Sequence, residues 1–400
     1  MSPVINEIGL KGYRVIEVES KHASRSVAVV VKAEPEQART GRCPCCGSAP
    51  GRFHSKGRYL RQVRHMECFG KPTVLKVYCR RWECLDCARS FVAELPGILP
   101  YRQSTEPLRE QIYLLHHHGI PSSCVAQRVQ MGQATVGRIY QQFTVRKARE
   151  RISLQCPRLL GIDEHTLHKG GRMVTTFCDL KNHRVFDVVQ GRSQRDLEGF
   201  LRQLQGRDKV QLVCIDLSSP YRAIVQQWFP NARIVADRFH VVRIIYHHFL
   251  QLARQIVHGL KNNRGLLCCL RKRPENLTDK QRQRLDQLLN EHPALRPLYQ
   301  KMHDLRSLMN HKHQTKKTCR PLAQQLLGSI NDLRDSSLPP LLTLADTLEQ
   351  WSEPIACMWR FSKNNGITEG FHRKMKLIQR RAYGFHNFDN YRLRVIAQCG

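Results

Sequence analysis

Four hundred residues exceed what one hydrophobic core usually supports, and the 41% hydrophobic content is enough to fold two to three domains. The chain carries 65 Lys and Arg against 33 Asp and Glu, a formal +32, so its surface attracts anions. No stretch approaches the roughly 18 consecutive apolar residues of a membrane span, and the opening MSPVINEIGLKGYRVIEVES lacks the layout of a signal peptide. A cytosolic protein that binds nucleic acid rather than lipid is expected, and its 16 cysteines are to be read for metal binding or burial rather than for disulfides.

The first organised segment is predicted over residues 1–100. CPCCG at 43–47 and CRRWECLDCARSF at 79–91 supply two C-x2-C knuckles, Cys43 with Cys46 and Cys84 with Cys87. Four thiolates in two such pairs are the signature of a tetrahedral structural zinc site, with Cys45 and Cys79 as neighbours each able to replace a member of its own pair. Between the knuckles, YLRQVRH and PTVLKVYCRRW alternate polar and apolar residues as the strands of a zinc ribbon would.

A Pro- and Gly-rich linker, LPGILPYRQSTEP, leads into a predicted helical region at 101–150. LREQIYLLHHHG reads as one helix, and PSSCVAQRVQMGQATVGRIYQQF as two short helices around Met131 and Gly132, a helix-turn-helix pattern. Its second helix would expose Gln133, Thr135, Arg138 and Gln142 for contacts in a DNA groove.

From residue 156 the pattern turns to strands. LLGIDE, MVTTFCDL and RVFDVVQG form a predicted meander, followed by helix SQRDLEGFLRQLQG, strand VQLVCIDL, helix SPYRAIVQQWF and strand ARIVADRFH. That order over 156–238 predicts an α/β, ribonuclease-H-like core, in which the first and fourth strands lie side by side. Asp163 ends the first and Asp216 the fourth, so the sheet brings together two carboxylates that repel unless a divalent cation binds. By strand alternation Glu164 points away from Asp163 and is expected in a loop or supporting role, while Asp179 and Asp187 read as turn acids. Asp237 reads as a helix N-cap, and His240 as a helix-start residue able to orient a phosphate.

Residues 239–360 are helical in pattern and read as an inserted domain. Residues 361–400 return to the core through a helix with the apolar stripe Ile367, Phe371, Met375, Ile378 and Ala382. Its opposite face carries Glu369, Arg373, Lys376 and Arg380, one acid at the head of a basic row, which fits a metal ligand beside a DNA backbone.

In CPCCG with CLDCARSF, GIDEHTLHKG, VVQGRSQRDLEGFL, IDLSSPY, NARIVADRFHVV and NNGITEGFHRKMKLIQRRAYGFHNFDNYRLRV the chain resembles bacterial insertion-sequence transposases of the ISL-three family, from about residue 40 to its end. The resemblance implies an Asp, Asp, Glu triad at Asp163, Asp216 and Glu369, zinc on Cys43, Cys46, Cys84 and Cys87, and, through the DRFH stretch, an auxiliary role near the metals or DNA for Asp237 with His240. His372 stands where family members often carry Asn. The implied chemistry is cleavage at the element's ends and joining of the freed 3′ end to target DNA, on two Mg²⁺ ions about 3.5 to 4 Å apart, with Mn²⁺ able to substitute. The zinc ribbon and helix-turn-helix would read the terminal inverted repeats of double-stranded DNA, with a homodimer pairing two ends in a bacterial cytoplasm, at the nucleoid. No nucleotide cofactor is expected, since GKPT at 70–73 lacks the upstream glycine of a P-loop. A transposase-derived DNA-binding regulator and a structure-specific nuclease of the same fold are the alternatives.

Overall fold

Two strands precede the first knuckle, β1 (Tyr13–Ala23) and β2 (Ser26–Pro35), in a stretch to which the sequence patterns above assign no elements. The computed structural model describes residue 10, residues 12–23, 26–35, 41–68, 70–167, 171, 173–361 and 366–400; of 20–23, 26–28 and 366–369 it describes the backbone alone. Contacts divide the chain into two units, 1–147 and 148–400, each described below by itself.

In the first unit β1 pairs antiparallel with β2, and β2 pairs in parallel with β4 (Lys71–Cys84). The hairpin partner of β4 is β3 (Phe53–Cys68), and short β5 (Ser90–Val92) also adds to β4. Burial along β4 alternates with period two, so Leu75, Val77 and Cys79 meet Val29, Val31, Ala33, Val63 and Tyr13 in a small core. Three helices follow: α1 (Glu106–His117), α2 (Ser122–Arg128) and α3 (Gln133–Arg151). Thr105 starts α1 by accepting from the Leu108 N–H, and its hydroxyl also bonds His65 Nδ1 of β3 at 2.8 Å, fixing the helix start to the sheet. Leu108, Ile112, Val125, Val136, Ile139 and Phe143 form the core between these helices. Where the sequence suggested a short third helix, α3 runs 19 residues, because its apolar spacing continues through Phe143 and Ala148.

The second unit holds a five-stranded sheet in which the strand order departs from the chain order. Strands β6 (Leu159–Thr166), β7 (Met173–Asp179) and β8 (Arg184–Gln190) form an antiparallel meander. Helix α4 (Gln194–Gln203), closed by a Ser193 and Asp196 capping box, leads to β9 (Leu212–Ile215), which pairs in parallel with β6. Helix α5 (Ser219–Trp228) then crosses to β10 (Arg233–Ala236), parallel to β9. Leu159, Leu212 and Arg233 lie in one cross-strand row, and the same register carried four residues further brings Asp163, Asp216 and Asp237 into line.

Helices complete the unit: α6 (Arg238–Ile256), α7 (Arg264–Arg271), α8 (Asp279–Glu291), α9 (Leu295–Met309), α10 (Lys316–Asp335), α11 (Pro339–Gln350), α12 (Ser352–Arg360), α13 (Gly366–Arg381) and α14 (Phe388–Cys399). A local cluster around Leu260, Leu270, Leu285 and Leu289 packs α7 and α8 together. From α9 onward the helices share the core of the sheet, with Met302, Ile330, Leu344, Trp351 and Trp359 in one cluster with Ile162, Ile215 and Val235. The buried Arg238 guanidinium locks this arrangement by donating to the carbonyls of Met309, His311 and Met358. Asp187 differs from its reading as a turn acid. It is buried within β8 and accepts two 2.6 Å bonds from Arg392 of α14, a partner 205 residues away that no local pattern announces.

Candidate functional site

Cys43 and Cys46 lie on the turn before β3, and Cys84 and Cys87 on the turn that ends β4. The Gly47 N–H bonds the Cys43 carbonyl at 2.9 Å and the Ala88 N–H bonds that of Cys84 at 2.8 Å, with Gly47 and Ala88 left-handed at φ 75 and 55. These tight turns aim all four ligand atoms inward, within 4.8 Å of one another. The Cys43–Cys87 and Cys46–Cys84 sulfur separations are 3.7 and 3.6 Å. A tetrahedron with Zn–S bonds of about 2.3 Å has S···S edges of roughly 3.8 Å, so the four thiols fit a zinc ion as they stand. The Ser48 hydroxyl, 2.9 Å from Cys46 Sγ, and the Ser48 backbone hold that thiol down at about 6, favouring the thiolate a metal needs. Cys45 is exposed and stands outside the cluster, and Cys79 packs in the sheet core, where burial pushes its thiol up.

The second concentration of chemistry is the cross-strand row. Asp163 sits inside β6, and Asp216 and Asp237 directly follow β9 and β10. Burial raises the Asp163 carboxyl to about 7, reinforced by the charges of Asp237, Asp216 and Glu164 and opposed by the Glu164 N–H, which donates to Oδ1 at 2.8 Å. Burial also raises Asp216 to about 6, with Glu164 and Asp237 adding repulsion and Arg243 relieving it. Asp216 Oδ1 is buried with no hydrogen-bond partner among the described residues. Asp237 is 3% exposed; its N–H bonds the Ile215 carbonyl at 2.7 Å, its carboxylate caps α6 at the Phe239 N–H, and His240 Nδ1 stands 3.3 Å from Oδ2. Neighbouring carboxylates deprived of water must either bind protons or hold a cation.

A hydrogen-bonded network stands behind the row. His372 of α13 lies 3.7 Å from Asp163 Oδ2 through Nδ1, while its Nε2 bonds Thr176 Oγ1 at 3.2 Å. Thr176 also meets His165 Nδ1 at 3.1 Å, and His165 Nε2 meets the Tyr391 hydroxyl at 2.8 Å. Alternation along β6 turns Glu164 to the other face, where the Tyr221 hydroxyl donates to Oε2 at 3.3 Å and Arg192 approaches Oε1 at 3.7 Å. Glu164 lies in the strand rather than in a loop, and its charge still reaches Asp216. The side chain of Glu369 lies outside the described residues; its backbone belongs to α13.

The residues assigned to DNA fall on two helices. At the start of α3, Gln133 and Arg138 are exposed and Thr135 half-buried, with Gln133 bonded to Ser122 at 3.0 Å and Arg138 to Thr135 at 3.1 Å. Gln142 accepts from buried Arg109 at 2.5 Å, which gives its carbonyl a structural duty. Along α13, Arg373, Lys376 and Arg380 are exposed opposite the buried Met375 and Ile378. Sequence reasoning had no signal for His165, Tyr221 or Tyr391, whose partners are distant in the chain, and met His372 only as a departure from a family pattern.

Residues 160–395 match the profile of a transposase family, ISL3, and residues 39–87 that of the zinc-finger of transposase IS204/IS1001/IS1096/IS1165. The transposase for insertion sequence element IS1001 of Bordetella parapertussis is 29% identical over 97% of this chain and 96% of its own length. The transposase for insertion sequence element IS1557 of Mycobacterium tuberculosis is 22% identical over 93% and 88%.

Proposed function

The chain belongs to the ISL3 family of insertion-sequence transposases, and we propose that it cuts and joins DNA by the metal-dependent phosphoryl transfer of a DDE enzyme. The observation that carries the proposal is the in-register row of desolvated carboxylates, Asp163 and Asp216 with Asp237 beside them, in a chain of this family. The antiparallel meander, followed by two parallel strands with a helix between them, supports a ribonuclease-H-like core over 156–238, with 239–360 as helical insertion and 361–400 returning α13 to the sheet.

Asp163, Asp216 and Glu369 would hold Mg²⁺ or Mn²⁺, with Asp237 as auxiliary carboxylate. An all-oxygen donor set, with one buried Asp216 oxygen that has no hydrogen-bond partner among the described residues, suits a hard cation. Bound there, the metal would stabilise charge on the attacking and leaving oxygens of an in-line displacement. The parallel register of β6, β9 and β10, extended past its paired residues, supports placing Asp163, Asp216 and Asp237 at the same edge of the sheet. His372 and Thr176 support Asp163 from behind, and Glu164, held by Tyr221 and Arg192, adds its negative charge beside Asp216. Arg373, Lys376 and Arg380 bind backbone phosphate along α13.

In the first unit the four cysteines hold structural zinc. Helices α2 and α3 serve as a helix-turn-helix, with Gln133, Thr135 and Arg138 facing the groove of the terminal inverted repeats. A homodimer in the bacterial cytoplasm, bound to the nucleoid, brings two ends together. Among the described residues no helix is long and apolar enough to cross a membrane.

Labelled duplexes carrying the element's ends, incubated with the protein, Mg²⁺ and a target plasmid, are expected to yield joined products. Asp216→Asn keeps the shape and removes the charge, so end binding persists while cleavage and joining both fall on the order of a thousandfold, the equivalent of several kcal/mol of lost charge stabilisation. A folded, end-binding Asp216→Asn protein that works at near the normal rate removes Asp216 from the chemistry. Cutting without joining by the unmodified protein identifies a nuclease, and binding without cutting a regulator.

A further inference from the structure

Helix α13 stops on an unusual residue. Past the Ala382 N–H, which bonds the Ile378 carbonyl at 3.1 Å, the Tyr383 N–H turns back to Arg380 at 3.1 Å and the Gly384 N–H to Gln379 at 3.0 Å, the paired bonds of a Schellman stop. Tyr383 takes the left-handed position at φ 52. Such stops place glycine or asparagine there, because the Cβ of other residues crowds the neighbouring carbonyl.

Among the described residues nothing covers this ring. Tyr383 is 98% exposed, whereas Phe385, two residues on, is buried and stands edge-on to Tyr391 at 5.3 Å. A bulky side chain kept in a strained conformation with its ring in solvent points to a partner outside the fold. The surrounding charge identifies that partner's chemistry. Between Gly370 and Phe388 the sequence holds Arg373, Lys374, Lys376, Arg380 and Arg381 and no Asp or Glu. All five cations are exposed, although Lys374 also donates to the Gln398 carbonyl at 2.5 Å. The matching ligand is a polyanion with flat apolar faces, its phosphates on the cations and one of its bases on the ring.

We propose that Tyr383 stacks on a base of the DNA bound along α13, drawing that base out of register with its neighbours. The inference rests on the reading that the cations of α13 follow the DNA backbone. Eleven residues separate Tyr383 from His372, the residue beside Asp163; at a rise of 1.5 Å per residue that is about 16 Å. At about 3.4 Å per nucleotide, the stacked base lies roughly five steps from the phosphate at the acid row.

The test uses the full chain and duplexes carrying the terminal repeat, with 5-iododeoxyuridine replacing one thymine at a time, irradiated and mapped by mass spectrometry. Crosslinking to Tyr383 at one nucleotide is expected, kept in Tyr383→Phe and lost in Tyr383→Gly. Loss of the stack weakens end binding about tenfold. Because glycine relieves the left-handed strain, Tyr383→Gly should also melt about 2 °C higher. Stability and binding moving in opposite directions is what a structural residue cannot produce; a Tyr383→Gly protein that melts lower and binds worse overturns the proposal. The double variant Arg380→Ala, Arg381→Ala tests the underlying reading. If it loses affinity and salt dependence while Tyr383→Gly binds normally without altered crosslinks, the stack fails and the DNA path stands. If both variants bind normally, both ideas fall. Binding to anionic phosphatidylglycerol vesicles that depends on Tyr383, with no DNA crosslink, assigns the ring to a lipid surface and overturns the proposal.

Discussion

The cysteine cluster and the carboxylate row make opposite demands on the protein around them. The cysteines sit on two tight turns at the end of a sheet whose core is small, and their geometry comes from local hydrogen bonds. The carboxylates sit on parallel strands inside a large core, and their geometry comes from register between segments far apart in sequence. In the first case the metal supplies much of the local folding energy. In the second the fold stands without the metal and carries the cost of two desolvated carboxylates. The four cysteines are grouped to hold an ion as part of the folded unit, whereas a cation at the proposed carboxylate site would enter a fold that stands without it.

The comparison breaks most easily at the zinc. Cys84→Ser with Cys87→Ser should remove the metal and on the order of 10 kcal/mol of coupled folding free energy, so the knuckles lose hydrogen-exchange protection while amides of the second unit keep theirs. Unchanged zinc content by elemental analysis would defeat the assignment. An intermediate effect is expected where the second unit relies on charge rather than metal. Arg392→Met strands the buried Asp187 carboxylate and should cost about 3 kcal/mol in denaturant unfolding, leaving zinc content untouched. The smallest change sharpens the contrast and has the opposite sign. In EDTA at pH 8, above its raised pKa, the charged Asp216 opposes folding, so Asp216→Asn should stabilise the metal-free second unit by roughly 1 kcal/mol. A lower melting temperature for that variant would mean that Asp216 is held by contacts the fold depends on.

How much was legible in the sequence follows the same division. The cysteine spacing announced its cluster because each turn is a local event, and only whether Cys45 or Cys79 replaces a member of its own pair needed coordinates. The strand-end position of Asp216 was readable because an apolar run ends there, whereas Asp163, read as a strand end, lies inside β6, which runs on to Thr166 as it pairs with β7. Asp187 was misread as a turn acid because an Asp inside an apolar run resembles a strand end until its partner is known, and Arg392 lies on the last helix. Strands β1 and β2 escaped notice because reading began at the knuckles, although AVVVKA carries a clear strand signal. The histidines and tyrosine behind Asp163 come from three separate elements and share no spacing rule.

The row of Asp163, Asp216 and Asp237 also sets where this gene can change length. Each acid lies four residues after the cross-strand row of Leu159, Leu212 and Arg233, so inserting or deleting one codon between a row residue and its acid would shift that carboxylate out of line and turn the strand's apolar side chains to the wrong face. The connections between strands carry no such constraint, because loop-closure entropy grows only slowly with length. Length differences among relatives should therefore collect in the turns and helical segments, and the three short strand-to-acid intervals should stay constant.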